Sequence, residues 1–92
     1  MLFVDNCIGA AGLIVAARLS ENPDVSVAVI EAGKYRHDDM FVDIPGLFLS
    51  CLGNPEYDWN HRTVPQKGNK DNVHHLPRGK ALGGSTAINY MM

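Results

Sequence analysis

A β-prone run, two closely spaced glycines and an apolar, helix-length stretch follow one another at the start of the chain, and that order leaves few folds open. Leu2-Phe3-Val4 reads as a short strand, Gly9 and Gly12 sit at the turn, and Leu13, Ala16 and Ala17 recur at helical spacing. The helix should stop ahead of Pro23, because a residue before proline is pushed out of helical geometry. Asn22-Pro23-Asp24 then supplies a turn. Val25 to Ile30 is nearly continuous and rich in β-branched residues, as in a parallel strand covered on both faces. Strand, helix and strand in that order make a βαβ unit with a right-handed crossover. The expected fold class is α/β: part of a doubly wound, Rossmann-like domain, with a βαβ unit, a long loop and a glycine-rich turn leading into a helix.

The glycines point to a ligand. In the dinucleotide fingerprint G-x-G-x-x-G, the first glycine makes the turn, the second admits the pyrophosphate to the backbone, and the third lets helix and strand pack closely. Gly9 and Gly12 fill the second and third places, and Cys7 stands in the first. The free N–H groups of the helix start would face the phosphates. An acidic residue about 20 positions on, at the end of the second strand, accepts from the ribose hydroxyls. Glu31 is that residue. A Cβ at position 7 strains a turn that needs positive φ, and Asp5 and Asn6 interrupt a strand expected to be apolar.

Beyond Lys34 the pattern changes. Scattered apolar anchors (Ile44, Leu47, Leu49, Leu52, Tyr57, Trp59) alternate with polar turns, and one short helix is expected from Pro45 to Leu52. A connection this long is functional or packed against something. Trp59 should be its buried anchor, and Lys67 to His75 should lie at the surface. Arg78-Gly79-Lys80-Ala81-Leu82-Gly83-Gly84-Ser85-Thr86-Ala87-Ile88-Asn89 closes the chain with a second glycine turn. Gly83 and Gly84 allow close approach of a backbone or ligand, Ser85 and Thr86 can cap a new helix and form an anion-binding turn, and Arg78 and Lys80 add positive charge.

This last run resembles the signature of the glucose–methanol–choline (GMC) oxidoreductases, FAD-dependent enzymes that oxidise alcohols. The resemblance extends over nearly the whole chain. Gly9 to Glu31, with Ala16-Ala17-Arg18-Leu19 between, is similar to their ADP-binding βαβ unit. Glu31-Ala32-Gly33, Ile44-Pro45-Gly46, Tyr57-Asp58-Trp59-Asn60, Thr63 and Pro65-Gln66 match the segment leading to the signature. It implies that Gly9, Ala11 and Gly12 touch the pyrophosphate and Glu31 the adenosine ribose. Arg78, Gly83, Gly84 and Ser85 would line the cofactor channel, with Asn89, Tyr90 and Met91 against the flavin. Some members attach the flavin through a histidine. The matching position here carries Ile88, so FAD is expected to be non-covalent. The family's catalytic histidine and its partner lie further toward the carboxy terminus, so no catalytic residue is assigned. Residues 1–92 would form the amino-terminal part of an FAD-binding domain without its substrate domain. An alternative of another class is a nucleotide-binding piece without activity.

Other chemistry finds little support. Eight Lys and Arg against ten Asp and Glu offer no basic patch for nucleic acid. No apolar stretch approaches the roughly 20 residues that span a bilayer, and Met1 to Asp5 does not read as a secretory leader. Cys7 and Cys51 form no framework and are expected as buried small hydrophobes. His37, His74 and His75 lack metal-ligand partners and are expected in solvent. The acceptor, compartment and oligomeric state are not inscribed in these residues, and the expected small-molecule partner is an alcohol.

Overall fold

The computed structural model describes the backbone of residues 2–5 and the whole of residues 9–90. The expectations resting on the Asp5 side chain, Asn6, Cys7 and Met91 lie outside the described residues. Strand β1 (Leu2–Asp5) runs parallel to β2 (Ser26–Val29), in register from Leu2 opposite Ser26 to Asp5 opposite Val29. Helix α1 (Ala10–Leu19) crosses between them. It ends as the proline requires: the Ser20 N–H and hydroxyl both donate to the Ala16 carbonyl, and Asn22 closes an Asx turn on the Asp24 N–H at 3.0 Å. Only Gly12 and Ala16 of α1 are buried, both of them small enough for the helix to lie close on the strands.

β2 is not covered on both faces as its composition suggests: Val29 and Ile30 are exposed. Burying a large aliphatic side chain is worth about 1.5–3 kcal/mol, and here that gain is left unrealised because no further layer lies against them among the described residues.

The connecting segment is more structured than its polarity suggests. Helix α2 (Met40–Asp43) was not legible in the sequence; Asp39 caps it by accepting from the Phe41 N–H at 3.1 Å. The helix expected from Pro45 is a 3₁₀ helix over Pro45–Ser50. A two-residue hairpin pairs β3 (His61–Arg62) with β4 (His75–Leu76), and the polar stretch between them carries a single 3₁₀ turn at Lys67–Asn69. A small core forms around Cys51, Tyr57 and Ile88, with Val42, Leu52 and Ala87 packed against it. The aromatic anchor is therefore Tyr57, at 7% exposure, and not Trp59, at 46%. The Trp59 ring instead lies under the Lys80 ammonium at 5.1 Å. The new helix expected after Gly84 is one 3₁₀ turn, Gly84–Ala87, whose cap, Gly83, carries no side chain. Ser85 and Thr86 lie inside that turn.

Candidate functional site

The two glycine motifs, distant in sequence, meet. Gly9 forms a parallel bridge with Gly83, and Lys34 a parallel bridge with Ala81. The run 79–84 thus crosses the carboxyl ends of β1 and β2, where open α/β sheets place their ligands. Two glycines make the crossing feasible. A Cβ on Gly33 would lie 2.1 Å from the Lys80 carbonyl oxygen, and one on Gly79 would lie 2.1 Å from that of Gly84. Gly83 and Gly84 both hold positive φ, as the turn requires.

At the start of α1 the geometry suits an anion. Gly9 is the N-cap and provides no side-chain hydrogen bond, so the first-turn N–H groups of Ala11 and Gly12 are not capped by a side chain. The space over Gly9 is open, with nothing within 4 Å of the position a Cβ would take. Glu31 follows β2 at the same end of the sheet, half-buried, and one carboxylate oxygen accepts from the Gly33 N–H at 2.8 Å. An ionised carboxylate has further lone pairs for a second donor.

Arg78, Ser85, Asn89 and Tyr90, four of the residues the sequence singles out, line one cleft of about 220 Å³ together with Leu52, Pro77 and Ile88. Ser85 Oγ accepts from the Gly79 N–H at 3.1 Å, and the Arg78 guanidinium donates to the Pro77 carbonyl at 2.9 Å. Ile88 is buried in the small core, with no nucleophilic atom to offer a flavin.

Sequence reasoning missed two polar clusters that hold these parts. Asp58, 1% exposed, accepts from the N–H groups of Gly53, Asn60 and Arg78, each at 2.9 Å. Its carboxylate also lies 3.0 Å from His75 Nε2. Burial works to raise its pKa, but the three N–H donors and His75 outweigh this and hold Asp58 below the usual carboxylate range. His75 is thus a partner of a buried carboxylate, not a solvated loop residue; His74, which contacts Asn69, is exposed.

The second cluster joins the loop after β2 to Glu56-Tyr57. Arg36 lies over the Tyr57 ring at 4.0 Å, pairs with Asp39 at 3.4 Å and donates to the Glu56 carbonyl. The Tyr57 hydroxyl donates to Asp39 at 2.7 Å. That bond lowers the Asp39 pKa, with Phe41 N–H and Arg36 assisting against desolvation, and the same bond raises that of Tyr57. Asp39 is therefore a largely buried partner of Arg36 and Tyr57. Among the described residues no group of His, Cys, Asp and Glu could hold a metal, and no helix is long and apolar enough to cross a membrane.

No protein-family model matches the chain. Over 83 residues it is 52% identical to the dehydrogenase mpl7 of Monascus purpureus, covering 90% of this chain and 13% of that protein. It is 45% identical over 83 residues to the GMC oxidoreductase family protein Mala s 12 of Malassezia sympodialis, covering 88% of this chain and 13% of the relative. A structure of formate oxidase from Aspergillus oryzae RIB40, solved in a study of FAD modification, superposes with a TM-score of 0.81 at 35% identity, covering 96% of this chain and 16% of the oxidase. The chain thus spans less than a fifth of the length of these relatives. Sequence and backbone agree on one origin: the chain belongs to the GMC oxidoreductase family and corresponds to its amino-terminal part.

Proposed function

We propose that this chain is the FAD-binding part of a flavin-dependent oxidoreductase acting on the CH–OH group of an alcohol. The observation that carries the reading is the Gly9–Gly83 bridge, which sets the dinucleotide turn and the glycine-rich run side by side at the carboxyl ends of the strands. Gly9, Ala11 and Gly12 present backbone and helix N–H groups to the pyrophosphate, and Glu31 accepts from the adenosine ribose. Arg78, Gly83, Gly84 and Ser85 line the channel, with Asn89 and Tyr90 toward the flavin ring. Bound FAD would supply hydride acceptance; the residues here bind and orient it and take no proton. The flavin is held non-covalently, in keeping with the buried, unreactive Ile88. Residues that take the hydroxyl proton are not assigned in this chain, and without them it would bind without turning over.

The test is titration of the chain with FAD, followed by flavin fluorescence. Glu31→Ala should weaken binding about 10- to 100-fold, the range for a hydrogen bond to a charged group, while His74→Ala leaves it within about twofold. Equal effects of the two substitutions, or no uptake by the unsubstituted chain, would overturn the reading.

A further inference from the structure

The glycine-rich run makes few side-chain contacts of its own, yet its path across the strands is held firmly at one end. Trp59 N–H donates to the Arg78 carbonyl at 2.9 Å, and Lys80 N–H to the Tyr57 carbonyl at 2.8 Å. Between these bonds Asp58 pairs with Gly79 as an antiparallel bridge, and its side chain turns back to take the Arg78 N–H. One buried carboxylate therefore fixes three segments: the turn at Gly53, its own turn at Asn60, and the entry to the run at Arg78. From Arg78 the order passes on through the Gly79 N–H to Ser85 Oγ, and through the close approach of Gly79 and Gly84 to Gly83 opposite Gly9.

We infer that Asp58 is a positioning residue for the cofactor-facing run: its carboxylate sets where residues 78–85 cross the strand ends, and through them the shape of the Arg78–Ser85 cleft. Its carboxylate reaches the run at the Arg78 N–H, beside the Asp58–Gly79 bridge, so its action is through that segment. A carboxylate suits the task because it accepts several N–H donors at once, whereas a neutral amide has one oxygen. The significance for FAD rests on the functional reading above; the placement of the run by Asp58 does not.

Amide hydrogen exchange of the 92-residue chain, read residue by residue by NMR, separates the two. Asp58→Ala should speed exchange at Lys80 and Gly84 about a hundredfold, as expected when charge-assisted bonds are lost, with Leu13 in α1 unchanged. Asp58→Asn retains one oxygen: two backbone N–H donors (Asn60 and Arg78) claim it on one side, and on the other stand one backbone donor (Gly53) and the His75 ring, which can accept from the new amide instead. Lys80 should then stay within about tenfold of the original rate while Gly53 loses its acceptor. Should the alanine variant not fold, this split within the asparagine variant decides. Equal acceleration in α1 and at Lys80, no change at Lys80, or an original chain unprotected at Lys80 would each overturn the inference. FAD titration runs alongside. A chain that takes up no FAD defeats the functional reading while the exchange result stands by itself. An Asp58→Ala chain that binds FAD as tightly as the original defeats the positioning role.

Discussion

Among the described residues, the βαβ unit leaves large apolar side chains exposed, and the polar segment that follows it buries a charged one. Ile14 on α1 is 64% exposed and Val15, Val29 and Ile30 are exposed with it, whereas Asp58 is 1% exposed and Cys51 wholly buried. Among the described residues the unit with the stronger hydrophobic pattern has the thinner core, because two strands and one helix have few neighbours to cover their faces. The connecting segment has a weaker pattern but folds back on itself. It satisfies buried polar groups with backbone N–H donors, and such a network is specific because each unpaired group is costly. Pattern strength reports what an element could bury; contacts decide what it does bury.

The comparison can be broken first at Gly79. A Cβ there would press on the Gly84 carbonyl and on Ser85 Cα, 2.9 Å away. Gly79→Ala should therefore cost about 2–3 kcal/mol, the upper range for overpacking, in denaturant unfolding. Gly9→Ala meets nothing within 4 Å and should leave stability nearly unchanged. If the two alanines cost the same, the run does not cross the strands as closely as described.

Next comes acid. The folded-state pKa of Asp58 is lowered, so its stabilising contribution is whole above the unfolded carboxylate value, about 3.9, and is lost as pH falls through the lower folded value. Asp58→Asn should cost about 1–3 kcal/mol above pH 5 and should flatten the acid limb of the stability profile. An unchanged acid limb would mean that the carboxylate is not the group holding these turns.

The smallest expected change is on the helix. Ile14→Ser should alter stability by less than about 0.5 kcal/mol, while light scattering records weaker self-association because the exposed apolar face shrinks. A loss above 1 kcal/mol would show that the βαβ unit covers itself better than its exposure indicates.

The sequence carried the βαβ unit because its signals are local: glycines at a turn, 3.6-residue spacing, a proline stop, an Asx turn at Asn22. It carried the burial of Cys51 for the same reason, since a thiol behaves as a small hydrophobe. Gly9 and Glu31 follow from the dinucleotide fingerprint and its spacing, and the interest in Asn89 and Tyr90 beside Arg78 and Ser85 follows from the family resemblance. The burial of Asp58 and its pairing with His75 were not legible. The two histidines read as surface residues, which holds for His74, and only the distant Asp58 and Asn60 give His75 its partners. Trp59 lost the anchor role because Lys80 already occupies its face. The tight contacts of Gly33 are with Lys80 and Ala81, far along the chain, so that glycine could not be explained from its own surroundings in sequence.

The bridge between Gly9 and Gly83 also has a kinetic meaning. It joins Gly9 to Gly83 across most of the chain, whereas turn and helix contacts close within a few positions and the hairpin joins His61 to Leu76. Long-range pairings pay loop-closure entropy before they return any energy. On folding, the joint between the two glycine turns is expected to close last, after the Asp58 network has fixed the path of the run. On unfolding it is the first place to open, so the chain should lose its ligand-ready shape well before it loses its secondary structure.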